Sequence, residues 1–237
     1  MLWRVGLVLV LLGVALGGWL GWQFWGTNWV SEQRQGEVSS ALADAWTDGE
    51  DAVTTDFGDA IAILHVPRFG DDYAVPVLEG SSEEVLAAGI GHMAGTDAPG
   101  ERGNHVLAAH RITHGEPFAD LPELRVGDLV HVQTRTATYT YVLDTGGTDL
   151  VVPFTDSWVL DDFPVNPGGG TRPPAGVGKR LITLVTCSEL FHTDNRSVVF
   201  GHLVRRVPAA DVPTVYPELT DTALPRSAPT DLERGHS

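Results

Sequence analysis

Short runs of β-branched and alternating apolar residues fill the middle of the chain and constrain its fold more than any other feature. Each run is bounded by Gly, Pro, Asp or Asn, the pattern of strands joined by turns. The runs read AIAILHV, YAVPVL, NHVLAAH, LVHVQT, TYTYVLD, RLITLVTC and SVVFGHLVRRV. Their spacing predicts a mainly β domain, either a barrel or a sandwich, over residues 59–207.

Three segments between these runs predict a helix, a turn and a loop. SSEEVLAAGI places Ser and acidic residues ahead of an apolar stretch, which predicts a short helix. Apolar and polar residues alternate in VGDLVHVQTRTATYTYVLD, which predicts two strands joined near Arg135 to Ala137. DDFPVNPGGGTRPPAGVGKR is rich in Pro and Gly, so it predicts a long surface loop just before the run RLITLVTC.

The amino-terminal segment has the features of a membrane anchor. Residues 5–22 contain no charged or polar side chain and approach the roughly 20 residues needed to cross a bilayer. Arg4 precedes this run, no Lys or Arg follows until Arg34, and tryptophans crowd its far end. We therefore expect residues 1–29 to form a single-pass plasma-membrane anchor, with the rest of the chain outside the cytoplasm. A cleaved signal peptide is the alternative, but its apolar region is usually shorter, about 7–15 residues.

Two further segments flank the β domain. Residues 30–58 are polar, and Val38, Leu42 and Trp46 recur in them at four-residue spacing, which predicts a linker with an amphipathic helix. Residues 208–237 are rich in proline and have little periodic apolar content, so we expect a disordered tail.

Charge and cysteine content exclude some classes of function. The 31 acidic and 15 basic residues give a net charge of −16, which repels nucleic-acid phosphates. The chain has 1 cysteine, Cys187, so no disulfide can form within it. A lone thiol outside the cytoplasm needs another explanation.

Cys187 ends the apolar run RLITLVTC, where a strand would leave the core. A nucleophilic cysteine reacts as the thiolate, and because a free thiol has a pKa of about 8.5, a cation or imidazolium must stabilise it. Arg196 begins the next run, so a tight connection would bring the two residues onto neighbouring strands. The alternative is a buried Cys187 that behaves as a small hydrophobic residue, which the strand taken alone favours, with Arg196 on the surface.

Histidines near the middle of the chain supply candidate bases. NHVLAAHRITHGEPF contains His105, His110 and His114, and His110 lies where an apolar run meets a loop. The spacing of the three does not select one of them, and an ordinary surface histidine is an equal alternative for His110.

Metal binding is a competing use of these histidines. His110 and His114 are four residues apart, as in a zinc-binding helix. The glutamate of an HExxH motif is missing, and Gly115 and Pro117 disfavour a long helix there. The acidic pairs elsewhere lack the spacing of a calcium loop. We therefore predict no metal and no cofactor.

Taken together, these motifs resemble those of the sortases, the membrane-anchored cysteine transpeptidases of Gram-positive bacteria. TLVTC fits the TLxTC signature, Arg196 stands where the family has its arginine, and AAHRITHGEPF resembles the histidine motif. GIGHMAGTDAPGERGNHVLAAHR is similar to the corresponding run in class E sortases of actinobacteria.

The resemblance implies an eight-stranded β-barrel with a few short helices over residues 59–207. It implies that Cys187 attacks the Thr–Gly carbonyl of a sorting signal and forms a thioacyl enzyme. His110 would then protonate the leaving amine and later take a proton from the incoming one. Arg196 would hold the substrate or stabilise the oxyanion, and Thr186 would contact the substrate.

The same resemblance implies the partners. Class E sortases favour LAXTG over LPXTG signals and attach proteins to the cell wall. The expected partners are therefore surface proteins that carry such a signal, and an amine of a cell-wall precursor or a pilin, with the membrane bound through the anchor.

Two other functions remain open at this point. An L,D-transpeptidase would have an SHGC-type motif with Arg two residues beyond the cysteine, whereas residue 189 is Glu. A non-catalytic, membrane-anchored β-barrel could bind wall or pilus proteins with Cys187 buried, and thiol labelling of the native domain separates that case from catalysis.

Overall fold

The computed structural model describes residues 2–21, 27–187 and 194–211, and of Cys187 it describes the backbone. The helices in these ranges are α1 (Leu2–Gly21), α2 (Thr27–Asp48) and α3 (Glu83–Leu86). The strands are β1 (Val53–Thr55), β2 (Gly58–His65), β3 (Ala74–Glu79), β4 (Ile90–His92), β5 (Gly103–Ala108), β6 (Leu129–Gln133), β7 (Ala137–Leu143), β8 (Val151–Pro153), β9 (Arg180–Cys187) and β10 (Asn195–Pro208).

Eight of the strands form a closed barrel. Their order is β2-β3-β4-β5-β9-β10-β7-β6, and the pairing of β6 with β2 closes the ring. β3 pairs with β4 and β5 with β9 in parallel, whereas the other neighbours are antiparallel. The additional strands β1 and β8 pair with β2 and β10. The predicted eight-stranded, mainly β barrel is confirmed.

Alternate residues of the strands fill the barrel interior. Because successive side chains of a strand point to opposite faces, Ile182 and Leu184 of β9 enter the main core, where they meet Leu107 of β5 and Val199 of β10. All four side chains are fully buried. The core therefore fixes the register of the strands that carry the candidate site, since a shift by one residue would expose these side chains.

The segments predicted between the strands are also present. Helix α3 begins after Ser82, whose hydroxyl accepts a hydrogen bond from the Val85 amide as an N-cap. β6 and β7 are joined between Gln133 and Ala137, as the alternation predicts. The segment between Leu160 and Arg180 is irregular and mostly exposed, which confirms the long surface loop.

The predicted amphipathic helix is present as α2. Val38 and Leu42 are buried and Trp46 is half-buried, and they pack on Ile63 and Leu78 of the barrel. This segment is therefore part of the folded unit rather than a free linker, because its apolar stripe extends the core of the barrel.

Helix α1 covers most of the apolar run near the amino terminus. Among residues 2–21, 27–187 and 194–211, no helix is both long enough and apolar enough to cross a membrane. The structure thus gives no support to the membrane anchor predicted for residues 1–29, of which residues 1 and 22–26 lie outside the described residues.

The predicted tail begins with the last residue of β10, Pro208, and a turn at Ala209–Asp211. Residues 212–237 lie outside the described residues, so the predicted disorder there stays a prediction. The predicted boundaries between anchor, linker, barrel and tail also stay predictions.

Candidate active site

Cys187 and Arg196 occupy facing positions on neighbouring strands. β9 ends at Cys187 and β10 runs antiparallel to it, with Arg196 directly opposite Cys187. Facing residues of an antiparallel pair have Cα atoms about 4.5–5.5 Å apart. The hairpin therefore holds the candidate nucleophile and the candidate cation side by side.

His110 lies on the other side of the same strand. β5 pairs with β9 in parallel, with Ala108 opposite Val185. The Ala109 amide donates a hydrogen bond to the Val185 carbonyl oxygen at 3.2 Å. Continued by two more residues along both chains, this register sets His110 level with Cys187. Three adjacent chain segments thus present His110, Cys187 and Arg196 at one end of the barrel.

Thr186 ties these segments together. Its side chain is buried, and its hydroxyl donates a hydrogen bond to the Ala109 carbonyl oxygen at 2.8 Å. This bond extends the pairing of β5 and β9 up to the residue before Cys187. The hydroxyl therefore has a structural partner, and the predicted contact of Thr186 with substrate stays a prediction.

The structure separates the histidines that the sequence left equivalent. His105 lies within β5 and is 1% exposed, and its Nδ1 hydrogen bonds to the Asp97 carbonyl oxygen at 2.9 Å. Burial, together with the charge of His92, lowers the pKa of His105 to about 3. A ring enclosed in this way cannot exchange protons with a substrate in a cleft.

His110 is only partly buried, and its imidazole stacks on that of His114. The ring centroids are 4.8 Å apart and the planes differ by 28°. Burial first, and then the charge of His114, lower the pKa of His110 to about 4. The Nε2 atom is buried and has no hydrogen-bond partner among the described residues. The lowered pKa makes His110 neutral at neutral pH, and its Nε2 has no hydrogen bond that a reacting group would have to displace.

Arg196 is held at the edge of the hairpin. Its guanidinium carbon lies 5.0 Å from the centre of the Phe154 ring, and its Nη1 donates to the Asn195 carbonyl oxygen at 3.0 Å. A guanidinium over an aromatic face is stabilised by the ring quadrupole. The Phe154 backbone is tied to the start of β10 because its amide donates to the Asp194 carbonyl oxygen at 2.5 Å. These contacts fix the cation beside the position of Cys187.

Metal coordination finds no support in this arrangement. In the part of the chain that the structure describes, no three His, Cys, Asp or Glu side chains are grouped so that they could hold a metal ion. His110 and His114 stack face to face in a loop rather than lying four apart on one helix.

Residues 64–204, more than half of the chain, match the family model described as the sortase domain. The chain belongs to the sortase family. This assignment agrees with the TLVTC motif, which lies on β9 at the centre of the candidate site.

Sortases E of Streptomyces are among the proteins that this sortase resembles. Sortase SrtE1 of Streptomyces coelicolor is 33% identical over 86% of this chain, and the match spans 57% of SrtE1. The solved structure of sortase E from Streptomyces avermitilis is 36% identical, with a TM-score of 0.56 over 70% of this chain and 99% of that one. The structure of sortase E1 from Streptomyces coelicolor, with a tripeptide in its active site, is 30% identical. Its TM-score is 0.54, and the match covers 71% of this chain and 100% of that one.

Two features of this sortase site were not predicted from the sequence. The stacking of His114 on His110 depends on a loop conformation that the spacing does not reveal. Phe154 follows Pro153 after the three-residue strand β8, and nothing in that short segment marks it as a neighbour of Arg196. The first contact depends on the loop after β5 and the second on the pairing of β8 with β10.

Proposed function

We propose that the protein is a cysteine transpeptidase that cleaves a C-terminal LAXTG-like or LPXTG-like sorting signal between Thr and Gly. It then joins the new carboxyl end to an amine. The observation that carries this proposal is that Arg196 faces Cys187, while the pairing of β5 with β9 brings the residue before His110 against Thr186 at the same barrel edge. Membership of the sortase family supports it.

In the first half of the reaction, the Cys187 sulfur bonds to the carbonyl carbon of the signal's Thr, and the thiol proton passes to His110. Burial and the charge of His114 lower the pKa of His110, so its imidazole is neutral and has a site for that proton. Arg196 donates hydrogen bonds to the oxyanion that forms. The C–N bond to Gly then breaks, and His110 returns the proton to the leaving amine.

In the second half, the acceptor amine attacks the thioester carbonyl carbon. His110 takes a proton from that amine as the new amide forms, and the Cys187 sulfur leaves as a thiolate. His110 then reprotonates the thiolate, so the enzyme returns to its starting state.

The test is cleavage of LAXTG and LPXTG peptides by the full-length protein in detergent, with and without an oligoglycine acceptor. We expect the amide product with acceptor, a thioacyl adduct on Cys187 by mass spectrometry, and no product from Cys187→Ala. Arg196→Lys should lower kcat by about 100-fold, because the lysine ammonium does not reproduce the planar set of hydrogen-bond donors of the guanidinium. Arg206→Lys is the matched control, since Arg206 also lies on β10 over an aromatic ring, Tyr139, but towards the other end of the strand.

Equal inertness of wild type and Cys187→Ala on every peptide would contradict the proposal and favour the non-catalytic binding module. A product that forms in both proteins would assign the cleavage to another group.

Thr186 is proposed as a substrate contact. Thr186→Val keeps the shape of the side chain and removes the hydroxyl that bonds to the Ala109 carbonyl. A raised KM at unchanged thermal stability supports the contact. Lower stability with an unchanged KM would instead assign the hydroxyl a structural role only.

The partners and location follow the same proposal. The substrates are exported proteins with a C-terminal signal, and the acceptor is an amine of a cell-wall precursor or a pilin. The apolar run of residues 5–22 with Arg4 before it supports a position at the outer face of the plasma membrane. Protease treatment of intact cells tests this, because an outward-facing barrel is degraded whereas an inward-facing one survives.

A further inference from the structure

One stripe of α2 contacts two different parts of the molecule. Its carboxyl-terminal half buries Val38 and Leu42 against the barrel core. Asn28, Ser31 and Gln35 precede these residues at the same helical spacing of three and four, so they lie on the same face. This amino-terminal half is polar, and it faces the loop that follows His110 rather than the core.

That loop has an unusual backbone. Thr113, His114, Gly115 and Glu116 have φ angles of +86°, +55°, +76° and +48°. Residues with side chains rarely adopt such angles, and a run of them persists only where surrounding contacts impose it. The loop is therefore held in this shape by something outside its own local preferences.

Asn28 supplies the contacts from outside the loop. Its Oδ1 accepts a hydrogen bond from the Gly115 amide at 3.1 Å, and its Nδ2 donates to Glu116 Oε1 at 2.8 Å. Glu116 Oε1 also accepts from the Thr113 amide at 3.4 Å. One amide side chain thus connects to the backbone and the carboxylate of the same turn.

The helix and the loop also approach closely. A side chain at Gly115 would meet Gln35 Nε2 at 2.6 Å and Ser31 Cβ at 3.4 Å. Ser31 is fully buried, and its Oγ has no hydrogen-bond partner among the described residues. A buried hydroxyl without a partner costs stability, so the polar character of this contact is better explained by a role at the loop.

The loop in turn determines the surroundings of His110. It starts at His110 and closes on Phe118, whose amide donates to the His110 carbonyl oxygen at 3.0 Å. The strained turn carries the His114 ring back onto the His110 ring, with centroids 4.8 Å apart. The position of the stacked ring therefore depends on the turn that Asn28 holds.

We propose that Asn28 is a positioning residue for His110: it holds the turn 113–116 in its strained shape and so keeps the His114 ring stacked on the candidate acid-base. This deepens the proposed transpeptidase function and rests on it for its effect on catalysis. The amino-terminal half of α2 therefore supports the active site, although it precedes the barrel in the sequence.

The proposal has a consequence for proton affinity. Burial and the charge of His114 lower the pKa of His110, and both weaken if the turn is released. Burial is the largest influence on His114 and lowers its pKa. Of the charged groups around it, Glu83 of α3 raises this pKa and Arg34 of α2 lowers it. Two other titratable groups lie near these rings. The Glu116 carboxylate accepts a hydrogen bond from Asn28, and Cys187 is level with His110 in the continued register of β5 and β9. Release of the turn should therefore raise the pKa of His110 towards its ordinary value.

The experiment uses a set of full-length variants. Asn28→Ala removes both contacts, and Asn28→Asp keeps the acceptor for the Gly115 amide but sets a carboxylate against Glu116. Asn28→Asp combined with Glu116→Gln exchanges the amide and the carboxylate, so residue 116 can donate to residue 28, whereas the longer bond from the Thr113 amide to the same atom is lost. Gln33→Ala, at an exposed position of the same helix, is the matched control.

Two readouts are measured on each variant. We expect Asn28→Ala and Asn28→Asp to lower kcat of peptide cleavage about tenfold with little change in KM. The double variant should recover most of the kcat that Asn28→Asp loses, and Gln33→Ala should match wild type. In a Cys187→Ala background, NMR titration should show a higher His110 midpoint for Asn28→Ala than for its parent. Because the titration needs no turnover, it tests the positioning role even if the protein cleaves no sorting peptide.

Unchanged kcat and an unchanged His110 midpoint in Asn28→Ala would overturn the proposal. A double variant as impaired as Asn28→Asp alone would also overturn it, because the exchanged pair should restore the turn. Inactivity of wild type on all peptides would instead count against the proposed function.

Discussion

The burial of His105 predicts a specific loss of stability in acid. The pKa of this ring is lowered to about 3 in the folded protein, by burial first and then by His92, and an unfolded chain has a histidine pKa of about 6.5. The unfolded state therefore binds more protons between these two values. Since protonation favours the unfolded state there, the free energy of unfolding falls as the pH drops from about 6.5 to about 3.

The size of this effect follows from the two pKa values. At pH 5 the unfolded histidine is almost fully protonated and the folded one almost fully neutral, which corresponds to about 2 kcal/mol lost relative to pH 8. The complete loss below pH 3 is about 5 kcal/mol. A small domain has only about 5–15 kcal/mol in total, so this one ring can decide whether the barrel survives mild acid.

The perturbation is His105→Asn. The Asn amide can keep the hydrogen bond to the Asp97 carbonyl oxygen, but it cannot be protonated in this range. We expect the variant to be about 1–2 kcal/mol less stable than wild type at pH 7.5, because a smaller side chain leaves a gap in the core. At pH 5 that difference should vanish or reverse, since only wild type loses the 2 kcal/mol from this site.

Urea unfolding followed by tryptophan fluorescence at both pH values measures these free energies. The other histidines with lowered pKa values are common to both proteins, so their contributions cancel in the comparison. Stability curves that run parallel between pH 7.5 and pH 5 would refute the reasoning. Peptide cleavage at pH 7.5 should stay within about threefold of wild type, because His105 is enclosed in β5; a far larger loss would place it in the chemistry.

Three further predictions concern the site and its support. In a Cys187→Ala background, His110 should titrate by NMR with a midpoint near pH 4, as burial and His114 imply; a midpoint of 6.5 or above would show an exposed or ion-paired ring. Leu42→Ala should lower the free energy of unfolding by about 2–5 kcal/mol, because Leu42 is fully buried between α2 and the barrel, and a loss below 1 kcal/mol would mean that α2 is not docked. Gly147→Ala should give little folded protein by circular dichroism, because the new Cβ would lie 1.8 Å from the Leu121 carbonyl oxygen; a wild-type spectrum and melting temperature would contradict that clash.

The strands were predictable where they are long and missed where they are short. Every β-type run in the sequence corresponds to a strand, because alternation over five or more residues is a clear signal. β1, β4 and β8 have three residues each, too few to display a period. Among them, β4 nevertheless links β3 to β5 and is needed to close the ring. Its pairing is fixed by its neighbours rather than by its own residues.

Helix α2 was only partly predictable from the sequence. The spacing of Val38, Leu42 and Trp46 predicted the helix and its buried face, since apolar periodicity reports burial. The same face continues through Asn28 and Ser31, where it contacts the His110 loop through hydrogen bonds and close packing. Polar side chains do not contribute to a periodicity of apolar residues. The contacts of the helix with the loop after His110 were therefore not predictable from the sequence.

The site residues differ in how far the sequence alone could locate them. Arg196 follows Cys187 by nine residues, so a hairpin connection places it on the strand next to β9, and the buried pattern of the two strands fixes it opposite Cys187. His110 precedes Cys187 by 77 residues, and the two meet only because β5 and β9 pair in parallel across the closed ring. Bringing ends so far apart together costs about 4 kcal/mol of loop-closure entropy, which the barrel core that Leu107 and Leu184 share must offset. The histidine is therefore positioned by the whole barrel, and we expect core variants such as Leu107→Ala to disturb the His110–Cys187 pair before they disturb the hairpin that holds Arg196.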